Sequence, residues 1–177
     1  QKFPDGPLLI LDEAYYEFIP EPPPSIQWIQ EGRPIVLLRT FSKVQGLAGL
    51  RIGYGLAHPS IAAVLQKSRQ PFNTSAPAQV AALAALADPE HVRKTIVLTN
   101  EGRDRLHSFL KKLNLRFIPG TANYVMVEVG NGDAVFLALQ KHGLIVRPLR
   151  SYNLPNWIRI SIGTPAQMSR LEELLPQ

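Results

Sequence analysis

At 177 residues, 45% of them apolar and with a formal net charge of +5, the chain is long enough to bury a sizeable core and ordinary in composition for a globular protein. It has no cysteine, which excludes a disulfide framework and a thiolate metal site, and its Lys and Arg residues are scattered, not gathered in a run that could track nucleic acid. No apolar stretch approaches the roughly 20 residues of a membrane span, and Gln1 to Gly6 do not read as a signal peptide, so a cytoplasmic protein with a mild preference for anionic small ligands is expected.

The first element is Leu8-Leu9-Ile10-Leu11, a continuous apolar run of the kind shown by a strand buried on both faces of a parallel sheet. Such a strand needs neighbours on both sides. The chain as far as residue 90 supplies few, so the sheet reads as incomplete and further sequence is expected before Gln1. Pro20 to Pro24 form a loop, because prolines carry no amide proton for a helix or ladder. Ile35 to Leu38 predict a second strand and Arg51 to Ala57 a third, the simplest arrangement being three parallel strands with loops at their carboxyl ends.

Helical patterns follow over Ile61 to Lys67 and Ala76 to Leu86, with Asn73, Thr74 and Ser75 available as caps. Asp88-Pro89 opens a long helix to Leu113, able to bridge two domains. Beyond it lies a compact pattern: strand Tyr124 to Val129, helix Ala134 to Lys141, strands Leu144 to Pro148 and Trp157 to Ile162, and helix Ala166 to Leu175. Residues 1–88 are thus expected to belong to one domain, and 89–177 to a bridging helix and a second, smaller one.

Asp12 and Tyr15 fall just past the carboxyl end of the first strand, where ligands bind in open parallel α/β sheets. An acid there is compatible with a helix N-cap, a Mg²⁺-positioning carboxylate or the partner of a protonated ring nitrogen. Leu8 to Glu13 also resembles the strand-plus-acid element of phosphate-loop ATPases, a reading that requires a Gly-x-x-x-x-Gly-Lys-Ser/Thr loop absent from this chain. A truncated, non-enzymatic binding module is a third reading.

The second cluster is Arg39-Thr40-Phe41-Ser42-Lys43 followed by Gly46 to Tyr54. Hydroxyls and a guanidinium suit a phosphate, and a lysine close to that phosphate suits a nucleophilic amine. Together they match the needs of pyridoxal phosphate, and Asp12 adds a carboxylate that would keep its pyridine nitrogen protonated. The four histidines are isolated from acidic pairs at metal-ligand spacing, and Ser42 has no histidine beside it in sequence. Tyr54, Phe72 and Trp157 read as packing residues.

Asp12-Glu13-Ala14-Tyr15, Arg39 to Lys43 and Gly46 to Tyr54 resemble the class I/II aminotransferases of fold type I, and among them the histidinol-phosphate aminotransferases. The likeness continues through Pro71-Phe72-Asn73 and Tyr152 to Thr164. It implies an α/β chain made of the C-terminal part of the large, mostly parallel-sheet cofactor domain plus the small C-terminal domain. It also implies pyridoxal 5'-phosphate as cofactor, with Lys43 as its covalent anchor and the catalytic residue, Asp12 on the ring nitrogen and Tyr15 on the ring oxygen. Ser42, Arg51 and Thr40 would bind the phosphate. Arg159 matches the family arginine for the substrate's carboxylate or phosphate, and Arg147 a second substrate arginine. The implied reaction is transamination between an amino acid or histidinol phosphate and 2-oxoglutarate in a homodimer, with an aromatic aminotransferase or a decarboxylase of the same scaffold as alternatives. Family members are about twice this length, so the chain alone is expected to be inactive.

Overall fold

The computed structural model describes residues 7–175; the expectation about Gln1 to Gly6 lies outside them. The chain divides into two compact units, residues 1–93 and 94–177.

In the first unit, β1 (Leu9–Asp12) is followed by a single 3-10 turn over Tyr16–Phe18 and a short helix α1 (Ser25–Gln30). Strand β2 (Ile35–Thr40) and strand β3 (Gly53–Ala57) complete a sheet of order β1-β2-β3. Helices α2 (Pro59–Ser68) and α3 (Ala76–Leu86) come next, and both carry proline in the first turn, where its missing amide proton costs nothing. His58 and Ser75 cap them by accepting from Ser60 N and Ala78 N.

Two expectations for this sheet are corrected. β3 runs antiparallel to β2, not parallel. Only twelve residues separate the two strands, and the chain doubles back on itself, with Phe41 N donating to Ile52 O, so no crossover back along the sheet is made. The first apolar run is also not buried on both faces: Leu9 and Ile10 are 48% and 60% exposed, because β1 is an edge strand paired only with β2 among the described residues. The buried strand is β2, whose Ile35, Val36 and Leu37 lie in the core. Phe72, read as a packing residue, is fully exposed, on a backbone with φ of +55° that keeps its ring out of any core. Helix α1 lies where only the preceding prolines had been legible.

Helix α4 (Pro89–Lys112) runs across the division between the units. The second unit then holds β4 (Phe117–Ile118), β5 (Tyr124–Glu128), α5 (Gly132–Gln140), β6 (Arg147–Leu149), β7 (Leu154–Ser161) and α6 (Pro165–Leu174). The sheet order is β4-β5-β7-β6, with every pair antiparallel. Strand alternation sends Val125, Val127, Ile158 and Ile160 into a core closed by Leu106 and Leu110 of α4 and Met168 and Leu171 of α6. Residues 144–146, expected as strand, precede β6; Val146 is nevertheless part of the core.

Candidate functional site

The antiparallel course of β3 decides where the site lies. β1 and β2 run parallel, so Asp12 and Thr40 leave the sheet at the same end. Because β3 runs the other way, its beginning, with Arg51 two residues before it, lies at that end too. A parallel β3 would have put Arg51 at the opposite end of the sheet from Lys43.

At that end the predicted residues fall into two contacts and two single placements. Lys43 Nζ lies 5.0 Å from the centroid of the Tyr15 ring. The Thr40 hydroxyl donates to Ser42 Oγ at 2.9 Å and accepts from Ser42 N at 3.1 Å, which fixes both hydroxyls on one turn. Gly46, at φ +73°, then reverses the chain by accepting the left-handed backbone that a side chain resists, and its amide donates to Lys43 O at 3.0 Å. Asp12 is exposed, and its Oδ1 accepts from Ala14 N at 3.0 Å, which turns the chain toward Tyr15 and leaves Oδ2 for another donor.

Arg51 is exposed and sits at φ +53°, a conformation costly for a residue with a Cβ, while its Nη1 donates to Ala48 O at 2.7 Å. That guanidinium folds back over its own turn and has four more N–H groups to offer. The cluster is therefore an amine, a phenol, a carboxylate, two hydroxyls and a guanidinium held at one sheet end. These are groups whose chemistry suits a phosphorylated, carbonyl-bearing ligand.

Three residues that sequence reasoning passed over lie directly behind it. Arg39 Nε donates to Glu13 Oε2 at 2.9 Å, with both side chains about nine-tenths buried, and the Arg39 guanidinium carbon lies 3.7 Å from the Tyr16 ring centroid. Burial alone would lower the proton affinity of Arg39, but Glu13, helped by Tyr54 and Tyr16, more than offsets it and holds the guanidinium charged. The pair joins residues 26 apart in sequence, so only the β1–β2 register could have revealed it.

In the second unit the register of β6 and β7 sets Arg147 opposite Arg159. Arg159 is half-buried, its guanidinium carbon lies 5.0 Å from the Tyr124 ring centroid, and its Nε is buried without a hydrogen-bond partner among the described residues. Arg147 is exposed and donates to the Tyr152 hydroxyl at 3.2 Å. Asn123 ends the approach to β5, its carbonyl accepting from Ile162 N at 2.9 Å.

The model of the family "Aminotransferase class I and II" matches residues 5–175. Over 176 residues the chain is 47% identical to a histidinol-phosphate aminotransferase of Akkermansia muciniphila, covering 99% of this chain and 48% of that protein. It is 44% identical to histidinol-phosphate aminotransferase 2 of Ralstonia nicotianae, covering 99% of this chain and 50% of that one. Its fold superposes with a TM-score of 0.84 on the histidinol-phosphate aminotransferase of Sinorhizobium meliloti, crystallised in complex with pyridoxal-5'-phosphate, at 35% identity and covering 96% of this chain and 48% of that one. The chain spans about half the length of the curated relatives it matches.

Proposed function

The chain belongs to the class I and II aminotransferase family, and from that premise we propose that its first unit binds pyridoxal 5'-phosphate and that the whole protein transfers an amino group between histidinol phosphate and 2-oxoglutarate. The observation that carries the reading is Lys43 Nζ set over the Tyr15 ring at the sheet end where Thr40, Ser42 and Arg51 also emerge.

The donor set fits that cofactor group by group. When bound, the cofactor supplies an aldehyde that condenses with amines and a ring that takes up the electron pair left when an amino acid loses its Cα proton. Lys43 would hold it covalently. Asp12, with one carboxylate oxygen still uncommitted, would accept a hydrogen bond from the protonated ring nitrogen and keep it protonated, and Tyr15 would donate to the ring oxygen. Ser42, Thr40 and Arg51 would bind the phosphate, arginine through its planar fork of charge-assisted donors.

Lys43 has a second task. Once freed by an incoming amino group, its Nζ would take up the substrate's Cα proton as a base and give it back as an acid. Arg159 and Arg147 would bind an anionic group of the substrate, and a phosphate ester suits two guanidiniums better than a single carboxylate does. The relatives' name supports histidinol phosphate as the donor.

Because the relatives are about twice as long, the chain by itself is expected to hold the cofactor weakly and to turn over no substrate. Borohydride reduction of the chain mixed with pyridoxal 5'-phosphate, followed by peptide mapping, tests the site even so. The label should fall on the Lys43 peptide and vanish in Lys43→Ala. Label spread evenly over the lysines, unchanged in that variant, would sink the assignment.

A further inference from the structure

The Glu13–Arg39 pair has no place in the chemistry above, yet it is the most completely buried ion pair among the described residues. Its position gives it a use. Glu13 follows Asp12 and its amide donates to Leu38 O at 2.8 Å; Arg39 precedes Thr40. Each member is thus one peptide unit away from a residue of the candidate cofactor cluster.

Strand alternation separates the two sets. In the β1–β2–β3 register, Asp12 pairs with Leu38 and Leu38 with Gly55, so Asp12 shares a sheet face with Leu38 and Thr40. Arg39, opposite Tyr54, points to the other face, and Glu13 meets it there. The ion pair therefore crosses the β1–β2 boundary on the reverse side of the sheet, at the level where Asp12 and Thr40 leave it on the front.

The pair is also held from its own surroundings. The Arg39 guanidinium stacks on Tyr16, which belongs to the turn that begins just after Tyr15. Glu13 O accepts from Tyr16 N at 3.1 Å, closing the loop that carries Tyr15. One guanidinium thus touches the exit of β1, the exit of β2 and the Tyr15 turn. Glu13 Oε1 and Arg39 Nη2 remain buried without partners among the described residues. A pair with two unpaired buried atoms is a poor device for stability alone, since apolar replacements of the same size often do as well.

We propose that Glu13 and Arg39 are positioning residues: from behind the sheet, they fix Asp12 and the Tyr15 turn in register with the Thr40–Ser42–Lys43 turn. The ring-nitrogen acceptor is on β1 and the amine is on the turn after β2, so their spacing depends on a single strand boundary, and this pair pins that boundary where the ladder ends. The proposal rests on reading the front cluster as the pyridoxal phosphate site.

Its test uses the chain with pyridoxal 5'-phosphate and reads the pH midpoint of the cofactor's visible absorbance, which reports the surroundings of Asp12 and Lys43 and which a loss of bulk stability does not move. Glu13→Gln and Arg39→Lys keep size and bulk while removing the charge or the fork. With both variants folded by circular dichroism, each should displace that midpoint and weaken cofactor binding roughly tenfold or more, the range seen when outer partners of ligating groups are removed. If Lys43→Ala abolishes the absorbance while Glu13→Gln and Arg39→Lys titrate and bind as the unaltered chain does, the positioning role is overturned and the cofactor site stands. If Lys43→Ala leaves the absorbance intact, the site itself falls. Should the variants not fold, amide exchange on the unaltered chain decides: protection at Glu13 matching that at Leu37 supports the clamp, and exchange as fast as in the exposed loop at Glu21 overturns it.

Discussion

Arg147 and Arg159 stand directly opposite each other across the antiparallel β6–β7 ladder. Like charges in that position repel, typically by about 0.2–1 kcal/mol, and an anion between them reverses the sign of the interaction. Replacing either with Gln should leave the thermal midpoint of the chain unchanged or slightly raised in dilute buffer. Inorganic phosphate should then stabilise the unaltered chain more than Arg147→Gln or Arg159→Gln. Equal phosphate stabilisation in all three would show that the pair binds no anion.

A second outcome concerns Arg51, whose backbone is left-handed at φ +53°. Glycine tolerates that conformation, so Arg51→Gly releases about 1 kcal/mol of local strain while losing the hydrogen bond to Ala48 O and gaining chain entropy in the unfolded state. Denaturant titration should therefore find stability within about 1 kcal/mol of the unaltered chain. Borohydride labelling at Lys43 should nevertheless fall sharply, because the proposed phosphate contact of Arg51 would be lost. A variant that loses stability and keeps its labelling would contradict the assignment of Arg51.

Gly53 offers a third. A Cβ there would lie 2.6 Å from Arg39 O, a backbone atom that cannot swing aside. Gly53→Ala must push β3 away from β2 at the site end, costing about 1–3 kcal/mol and displacing Arg51 from Thr40. Gly55→Ala, whose Cβ would meet nothing closer than 3.7 Å, is the control and should be far milder. Urea unfolding of the two variants checks the difference.

The pH dependence of the second unit follows from His107, which stacks on Phe117 with ring centroids 4.7 Å apart. Burial, then the charge of Arg103, hold its pKa below 6.5, with Lys111 adding to them and Asp104 opposing. A base with a depressed folded pKa binds its proton more readily when unfolded, so stability falls as pH drops below 6.5 and levels off once the folded form also protonates. Glu172 and Glu128 act lower still. Their carboxyls are held below 4.5, mainly by Arg105 and Arg116, and the stability they contribute above 4.5 is lost as pH falls through their folded values. Thermal midpoints from pH 7.5 to 5 should decline in the unaltered chain and less so in His107→Phe; identical slopes would exclude His107 as the cause.

Much of this was legible in the sequence, for identifiable reasons. Ala76 to Leu86 coincides with α3, because Ser75 and the proline after Ala76 mark a helix start by local chemistry alone. The Lys43 cluster was legible because its parts lie on one short stretch of chain. What escaped was non-local. Nothing between residues 40 and 53 announces the direction of β3, and the apolar run at Leu8 to Leu11 has the same pattern whether its strand is central or at an edge. Glu13 and Arg39 looked like ordinary charges because their burial depends on a register between strands, which composition does not encode. Phe72 misled for the opposite reason, since an aromatic residue is usually an anchor and here its backbone turns it outward.

The doubling back of β2 into β3 puts Lys43 and Arg51 on one short length of chain with seven residues between them and both its ends tied into a ladder. The Lys43 amine and the Arg51 guanidinium are therefore mechanically one part. An insertion anywhere from Val44 to Leu50 would misplace both together, whereas an insertion among the exposed Glu21 to Pro24 would misplace neither. For anyone grafting or redesigning this site, that stretch is a ruler whose length cannot be changed from one end only.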